Sequence, residues 1–205
     1  MIRRLVKYLF IATCAAMTVA LMACNDAEAT EGGMGALEPF ESKDEVPELD
    51  GAGETYDHLD NVTLEYGNIS ISPYVISDNI QVSEAEASGS CHGVTMSVGM
   101  TGNSAVDTAQ GLAGSVSAKI TAEYGSDVQV EYFPMEYEGD TCILQGSFSI
   151  AEGESIYPGM AIIESIPLPD NASFYVTIVV DNKKADGETE DVLLEAMEVC
   201  GLSVG

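Results

Sequence analysis

The sequence reads VTMSVGM over residues 94–100, an unbroken alternation of apolar and small polar side chains. With a repeat of two residues, the apolar side chains lie on one face of an extended strand and the polar ones on the other. One face then packs on a core while the other meets water, as is typical of antiparallel sheets. The stretch therefore predicts a β-strand in a mainly β fold.

Further strand patterns follow along the chain. Alternation predicts strands at 116–124, 128–130 and 142–150. Residues 173–180 are aromatic and β-branched on both faces, which predicts a central strand. Weaker patterns occur at 62–66, 69–76 and 159–166, where Pro73, Pro167 and Pro169 predict edges or strand ends. Strands at intervals of about ten residues, separated by turn-forming residues, favour a single antiparallel β-sandwich.

Residues 104–124 fit either a helix or a strand. Apolar residues recur through the segment at the spacing of one helix face, and Ser104 and Asp107 occupy the positions of a capping box. Gly111, Gly114 and the serine and threonine content disfavour a long helix. We predict a short helix near 104–111, then the strand at 116–124 and a hairpin loop at 125–127.

Residues 189–200 are equally ambiguous. Their apolar residues fit one face of a helix with acids at its start and Gly201 at its end. They also fit the last strand of a hairpin with residues 174–182, and we predict the strand. The predicted domain then contains at most one or two short helices.

The first 24 residues predict export. Three basic residues precede an apolar run, Tyr8–Ala23, that is too short to span a bilayer comfortably. The run ends in LMAC at 21–24, which resembles the lipobox of bacterial lipoproteins. That resemblance implies a signal peptide at 1–23 and a lipid on Cys24. An ordinary signal peptide cut after Ala23, or a membrane helix, is the alternative.

The resemblance also bears on location. In lipoproteins of bacteria with two membranes, Asp directly after the lipidated cysteine is typical of retention in the inner membrane. Here Asn25 follows Cys24, so the resemblance implies the outer membrane or the cell surface.

The next segment differs from the rest of the chain. Residues 25–60 contain twelve acids, one lysine and few aliphatic side chains. Such a composition buries too little apolar surface to offset the entropy of ordering the chain. We predict that 24–60 is the lipidated cysteine with an acidic disordered tether, and that 61–205 is one folded domain.

Charge restricts the partners. The formal net charge is −27, which repels phosphate backbones and excludes nucleic acid. Cations, cationic partners and neutral ligands remain compatible. The acidity also resembles that of proteins from saline environments, so it is not by itself a sign of function.

Three cysteines remain after Cys24, namely Cys91, Cys142 and Cys200. In an oxidising compartment this odd number predicts one disulfide and one cysteine left over. Cys142 lies in phase with the buried face of its strand, so we expect it to be one partner. The pairing is otherwise open, and three buried free thiols are the alternative.

The sequence gives weak signals for a metal. His92 follows Cys91, the other histidine is His58 in the tether, and no CxxC or HxxxH spacing accompanies them. We interpret His92 as a loop histidine rather than a zinc ligand or catalytic base. Asp181, Asp186 and Glu188 are weak candidates for structural calcium, although the segment does not match an EF-hand. No other cofactor is expected.

Catalytic signatures are missing from the sequence: GxSxG, HExxH, the P-loop and GxGxxG do not occur in a supporting context. We predict a non-enzymatic binding or interaction domain, held in the cell envelope by its lipid and facing an envelope protein or an extracellular ligand. In general form it resembles the Ig-like domains of secreted bacterial lipoproteins. The alternatives are a secreted hydrolase that uses carboxylates and a structural accessory of an envelope complex.

Overall fold

The computed structural model describes residues 56–200. The strands in this range are β1 (Leu59–Asn61), β2 (Leu64–Tyr66), β3 (Ile69–Ile71), β4 (Tyr74–Ile76), β5 (Gln81–Val82), β6 (Glu86–Cys91), β7 (Val94–Thr101), β8 (Glu131–Tyr132), β9 (Glu136–Glu138), β10 (Thr141–Glu152), β11 (Ser155–Pro167) and β12 (Ser173–Asp181). The helices are α1 (Ala105–Tyr124) and α2 (Thr189–Val199), with a 3-10 turn at Pro169–Asn171.

One large antiparallel sheet forms the centre of the molecule. Its strand order is β5-β6-β7-β12-β11-β10-β8, and β9 pairs with another part of β10. The strands predicted at 94–100, 142–150 and 173–180 are confirmed, and β12 is central, as its two apolar faces predicted. The mainly β, antiparallel fold class is therefore confirmed.

The large sheet has a core on each face. On one face α1 packs over β10, β11 and β12. On the other face the apolar side of β7 and β12 packs against α2 and the short pair β1–β4. The sandwich form remains a prediction, because helices and short strand pairs supply these covering layers.

Helix α1 corrects the prediction for 104–124. The helix continues through Gly111 and Gly114 to Tyr124, so the predicted strands at 116–124 and 128–130 and their hairpin loop are wrong. Its buried positions share a helical stripe: Ala105, Thr108, Ala109, Ala113, Val116 and Ile120. Both glycines lie on the exposed face, so they lower helix propensity without disturbing the packing that stabilises the helix.

Helix α2 corrects the prediction for 189–200. The predicted hairpin with 174–182 is wrong because β12 is already hydrogen-bonded to β7 on one side and β11 on the other. The segment instead buries a helical face that includes Val192 and Ala196. Residues 159–166, predicted as a weak strand near an edge, are part of the inner strand β11, which ends at Pro167.

The folded domain begins earlier than predicted. Leu59, assigned to the tether, is 5% exposed and pairs with Ile76, and the backbone N–H of His58 donates to Glu195 Oε2 at 3.0 Å. The packing of Leu59 thus orders the end of a segment whose acidic residues predicted disorder. The signal peptide, Cys24 and the rest of the predicted tether lie outside the described residues. Neither described helix is long and apolar enough to cross a bilayer.

Candidate functional site

A groove of about 380 Å³ opens on the α1 face of the large sheet. It forms because α1 covers β10 to β12 and leaves the same face of β6 and β7 uncovered. Val116 and Ile120 line it from the helix, and Val179 lines it from β12. The groove therefore lies between α1 and the part of the sheet that α1 does not cover.

Side-chain hydroxyls form the floor of this groove. They belong to four residues on β6, β7 and β12: Ser90, Thr95, Ser97 and Thr177. Ser90 pairs with Thr95 and Ser97 with Thr177, and directly paired residues share one face of a sheet. Within residues 56–200 no hydrogen bond uses any of the four hydroxyls, so all are available to a bound molecule.

The polar face of the 94–100 alternation was a signal for this floor. The sequence predicted that Thr95 and Ser97 would face water. In the structure Thr95 is exposed, as predicted, whereas Ser97 is 9% exposed and lines the groove.

Charged groups close one end of the groove. The buried Asp181 carboxylate accepts hydrogen bonds from the Tyr124 hydroxyl and, at 2.9 Å, from the Lys183 backbone N–H. Burial, followed by the bond to Asp181, raises the pKa of Tyr124 to about 12. The Lys184 ammonium bonds to Glu123, which raises the pKa of Lys184, and lies 3.5 Å from Asp181. This end is a set of mutually satisfied charges.

His92 lies at the rim of the groove, in the tight turn between β6 and β7. Its φ of 48° is in the left-handed region, and its carbonyl oxygen accepts a 2.6 Å bond from the Thr189 hydroxyl. Its Nδ1 is 2.8 Å from Asp186 Oδ2. This hydrogen bond raises the pKa of His92 and lowers that of Asp186. The turn is thus fixed to the loop that precedes α2.

The three calcium candidates do not converge. Asp181 bonds to Tyr124, Asp186 to His92, and the exposed Glu188 lies 3.8 Å from His58 Nε2. Among the described residues, no group of three or more His, Cys, Asp or Glu side chains could hold a metal ion. Calcium remains a prediction that this geometry does not support.

The three candidate cysteines are free thiols in the structure. Cys142 lies in the core beneath α1, whereas Cys200 belongs to the core on the opposite face of the sheet. Cys91 is four strands from Cys142, about 19 Å at the usual spacing, and a disulfide needs Cα atoms within about 7 Å. The disulfide remains a prediction, but the topology argues against Cys142 as a partner.

No protein-family model matches the chain, and no curated protein matches its sequence. The groove and its residues are therefore the basis for assigning a function.

Proposed function

We propose that this chain is an envelope-anchored lipoprotein whose domain binds a small, neutral, polar molecule in the groove without catalysing a reaction. The observation that carries this proposal is the floor of four hydroxyls that no described residue engages. Ser97 and Thr177 are buried residues, whereas Thr95 is exposed. A ligand in the groove would form direct hydrogen bonds with these hydroxyls in place of water.

The lining indicates the chemistry of the ligand. Each hydroxyl both donates and accepts a hydrogen bond, so the floor suits amide and hydroxyl groups. Val116 and Ile120 add an apolar wall. A volume of 380 Å³ is at the lower end of the range of small-molecule sites, about 300–1,000 Å³. A disaccharide or a short blocked peptide combines these properties.

Charge favours a neutral ligand. The lining contains Lys119 and Lys184 together with Glu123 and Asp181, so neither sign dominates the groove. The chain as a whole carries −27, which repels anions at long range. A molecule without net charge avoids both this repulsion and the cost of burying an unpaired ion.

A binding role fits better than the hydrolase alternative. A carboxylate-based hydrolase needs an acid of raised pKa in its cleft. Glu164 is a buried acid whose pKa is raised to about 7, but it pairs with Val176 and faces the α2 side of the sheet. The groove is on the other side, so this carboxyl group is out of reach of a ligand there.

The anchor would act through local concentration. A lipid on Cys24 would restrict the domain to a membrane surface and so raise its concentration towards partners there. The ligand would then be a component of the envelope or of the medium outside it. This part of the proposal depends on the sequence, since Cys24 lies outside the described residues.

The test is ligand binding to the full-length chain in detergent micelles. Disaccharides and blocked di- and tripeptides serve as neutral probes, citrate serves as an anionic probe, and methyl NMR signals of Val116 and Ile120 report occupancy. We expect saturable shifts with at least one neutral class and none with citrate. If no neutral probe shifts these methyl groups, the proposed function is wrong.

Matched variants localise the effect. Ser97→Ala and Thr177→Val each remove one floor hydroxyl, and the loss of one hydrogen bond of about 1 kcal/mol weakens binding about fivefold. Ser149→Ala removes an exposed hydroxyl elsewhere on the sheet and should leave affinity unchanged. Equal affinities for all three variants would also contradict the proposal.

A further inference from the structure

The two edges of the large sheet differ in how their backbone groups are paired. At the β6 edge, Ser88 pairs with β5, and the Ser90 N–H donates to the Asp78 carbonyl oxygen at 3.0 Å. The Glu86 carbonyl oxygen accepts a 2.7 Å bond from the Ser83 N–H. The segment before β6 therefore closes this edge of the sheet.

The opposite edge, formed by β10, is open towards the end of the strand. On this side β9 pairs with residues 141–143 and β8 with residues 146–147, and the Gln145 carbonyl oxygen accepts a 2.8 Å bond from the Phe133 N–H. Because backbone groups alternate between the two sides of a strand, Ser149 and Ala151 direct theirs to the same side as Gln145. Both residues are exposed, and no hydrogen bond within residues 56–200 uses these outward groups.

The free edge lacks the features that usually protect an edge strand. Folded proteins protect such strands with lysine, proline, a β-bulge or a covering segment. Residues 148–152 read FSIAE, with neither lysine nor proline, and their pairing with β11 continues without a bulge to Glu152 and Ser155. An open edge of this kind is suited to β-augmentation, in which an extended peptide adds a strand to a sheet.

We propose that the free edge of β10, residues 148–152, binds an extended basic segment of another protein as an additional strand. The partner's backbone would bond to the N–H and carbonyl groups of both Ser149 and Ala151. The free edge is on the side of the sheet away from β6 and β7, which form the groove floor. This surface is therefore separate from the groove and does not depend on the proposed function.

The charge around the free edge determines the class of partner. Glu131 is opposite Ser147 where the free edge begins, and Glu152 and Glu154 are at its other end. All three acids are exposed, and of the three only Glu152 forms an ion pair within residues 56–200, with Lys183 at 3.3 Å. A basic segment offsets these charges. A second copy of this chain would bring the same acids together and carries −27 itself.

An exposed apolar side chain lies beside the free edge. Ile156 pairs with Ala151, so the two share one face of the sheet, and Ile156 is 71% exposed. A strand added to β10 would place alternate side chains on this face, next to Ala151 and within reach of Ile156. We therefore expect the partner segment to have apolar residues at alternate positions and basic residues at its ends.

The experiment uses the full-length chain in detergent micelles and a blocked peptide in which valine and threonine alternate between pairs of lysines. Hydrogen exchange measured by NMR follows the amides of Ser149 and Ala151. Both should exchange rapidly in the free chain, and saturating peptide should slow them about tenfold. A peptide with glutamate in place of lysine, and one with methylated central backbone nitrogens, should bind much more weakly. Unchanged exchange at millimolar lysine peptide would overturn the proposal.

Variants of the chain test the backbone contacts. Ser149→Pro and Ala151→Pro each remove one outward N–H, which an edge strand tolerates, and should weaken peptide binding about fivefold. Ala151→Thr keeps the N–H and should leave the affinity unchanged, and circular dichroism establishes that each variant is folded.

Two other results would also contradict the proposal. If the peptide with methylated nitrogens binds as tightly as its parent, the attachment is only electrostatic. If Ser149 and Ala151 already exchange slowly in the free chain and sedimentation shows a dimer, a second copy occupies the edge.

Discussion

Replacing Glu164 with glutamine should make the stability of the domain less dependent on pH. Glu164 is on the inner strand β11, is 7% exposed, and has one carboxylate oxygen without a hydrogen-bond partner. Burial, with a smaller contribution from the charge of Glu138, raises its pKa to about 7. The folded protein therefore holds a proton at this site under conditions in which the unfolded chain has lost it.

The size of the effect on stability follows from the difference between the pKa of Glu164 in the folded protein and its pKa in the unfolded chain. The ordinary pKa of the group is 4.5, and each pKa unit corresponds to about 1.4 kcal/mol. Between pH 4.5 and 7 the folded state binds more protons than the unfolded state, so stability from this group falls as the pH rises. The loss is complete above pH 7 and amounts to about 3 kcal/mol. Glutamine cannot ionise, so Glu164→Gln removes the loss.

Urea unfolding of the parent chain and the variant at pH 5 and pH 8 measures this effect. At pH 5 both side chains are neutral, and the two free energies of unfolding should be similar. At pH 8 the variant should be more stable by up to about 3 kcal/mol. Glu154→Gln, which removes an exposed acid from the β10–β11 turn, is the charge-matched control and should show no such change. An equal difference between Glu164→Gln and the parent at both pH values would refute the reasoning.

Three further predictions concern packing, anchoring and thiols. Gly89→Ala should destabilise the domain by about 2 kcal/mol, because the new methyl group would overlap the backbone carbonyl of Ile76. Gly114→Ala, on the open face of α1, should stabilise the domain by up to about 1 kcal/mol. Urea unfolding measures both changes in stability, and changes of the same sign would contradict this reasoning. Cys24→Ser should move the protein from the membrane fraction to the soluble fraction on immunoblots, and a variant that stays with the membrane would disprove lipid anchoring. Alkylation of the native chain, followed by mass spectrometry, should modify the partly exposed Cys91 before the two buried cysteines, whereas equal rates for the three thiols, or a disulfide that includes Cys142, would contradict the structure.

Strict alternation was sufficient to predict the strongest strands. Residues 94–100 and 173–180 form the adjacent strands β7 and β12, because a repeat of two residues places one complete face in a core. The same signal failed at 116–124. Val116 and Ile120 fit a strand and a helix equally well, and the helix forms because both then join the stripe that packs over β10 to β12.

The site was less predictable than the sheet. The sequence identified Thr95 and Ser97 as a polar face, but the position of α1 made that face a groove floor. His92 and Asp186 were noted separately, and His58 was placed in the tether. Pairing of β1 with β4, and the placement of α2 across the sheet, brought all three to one point. Sequence spacing gives no sign of such a contact.

The sequence by itself determined the antiparallel sheet, and it predicts the anchor and the exclusion of nucleic acid. The sheet depends on the period of the side chains, the exclusion on net charge, and the anchor on a short motif. Each of these features is a property of a few neighbouring residues or of the whole composition. Only the tertiary structure decided where two helices lie, which polar face is enclosed, and which titratable groups meet. Those outcomes depend on strands far apart in the chain competing for the same edges and faces of one sheet.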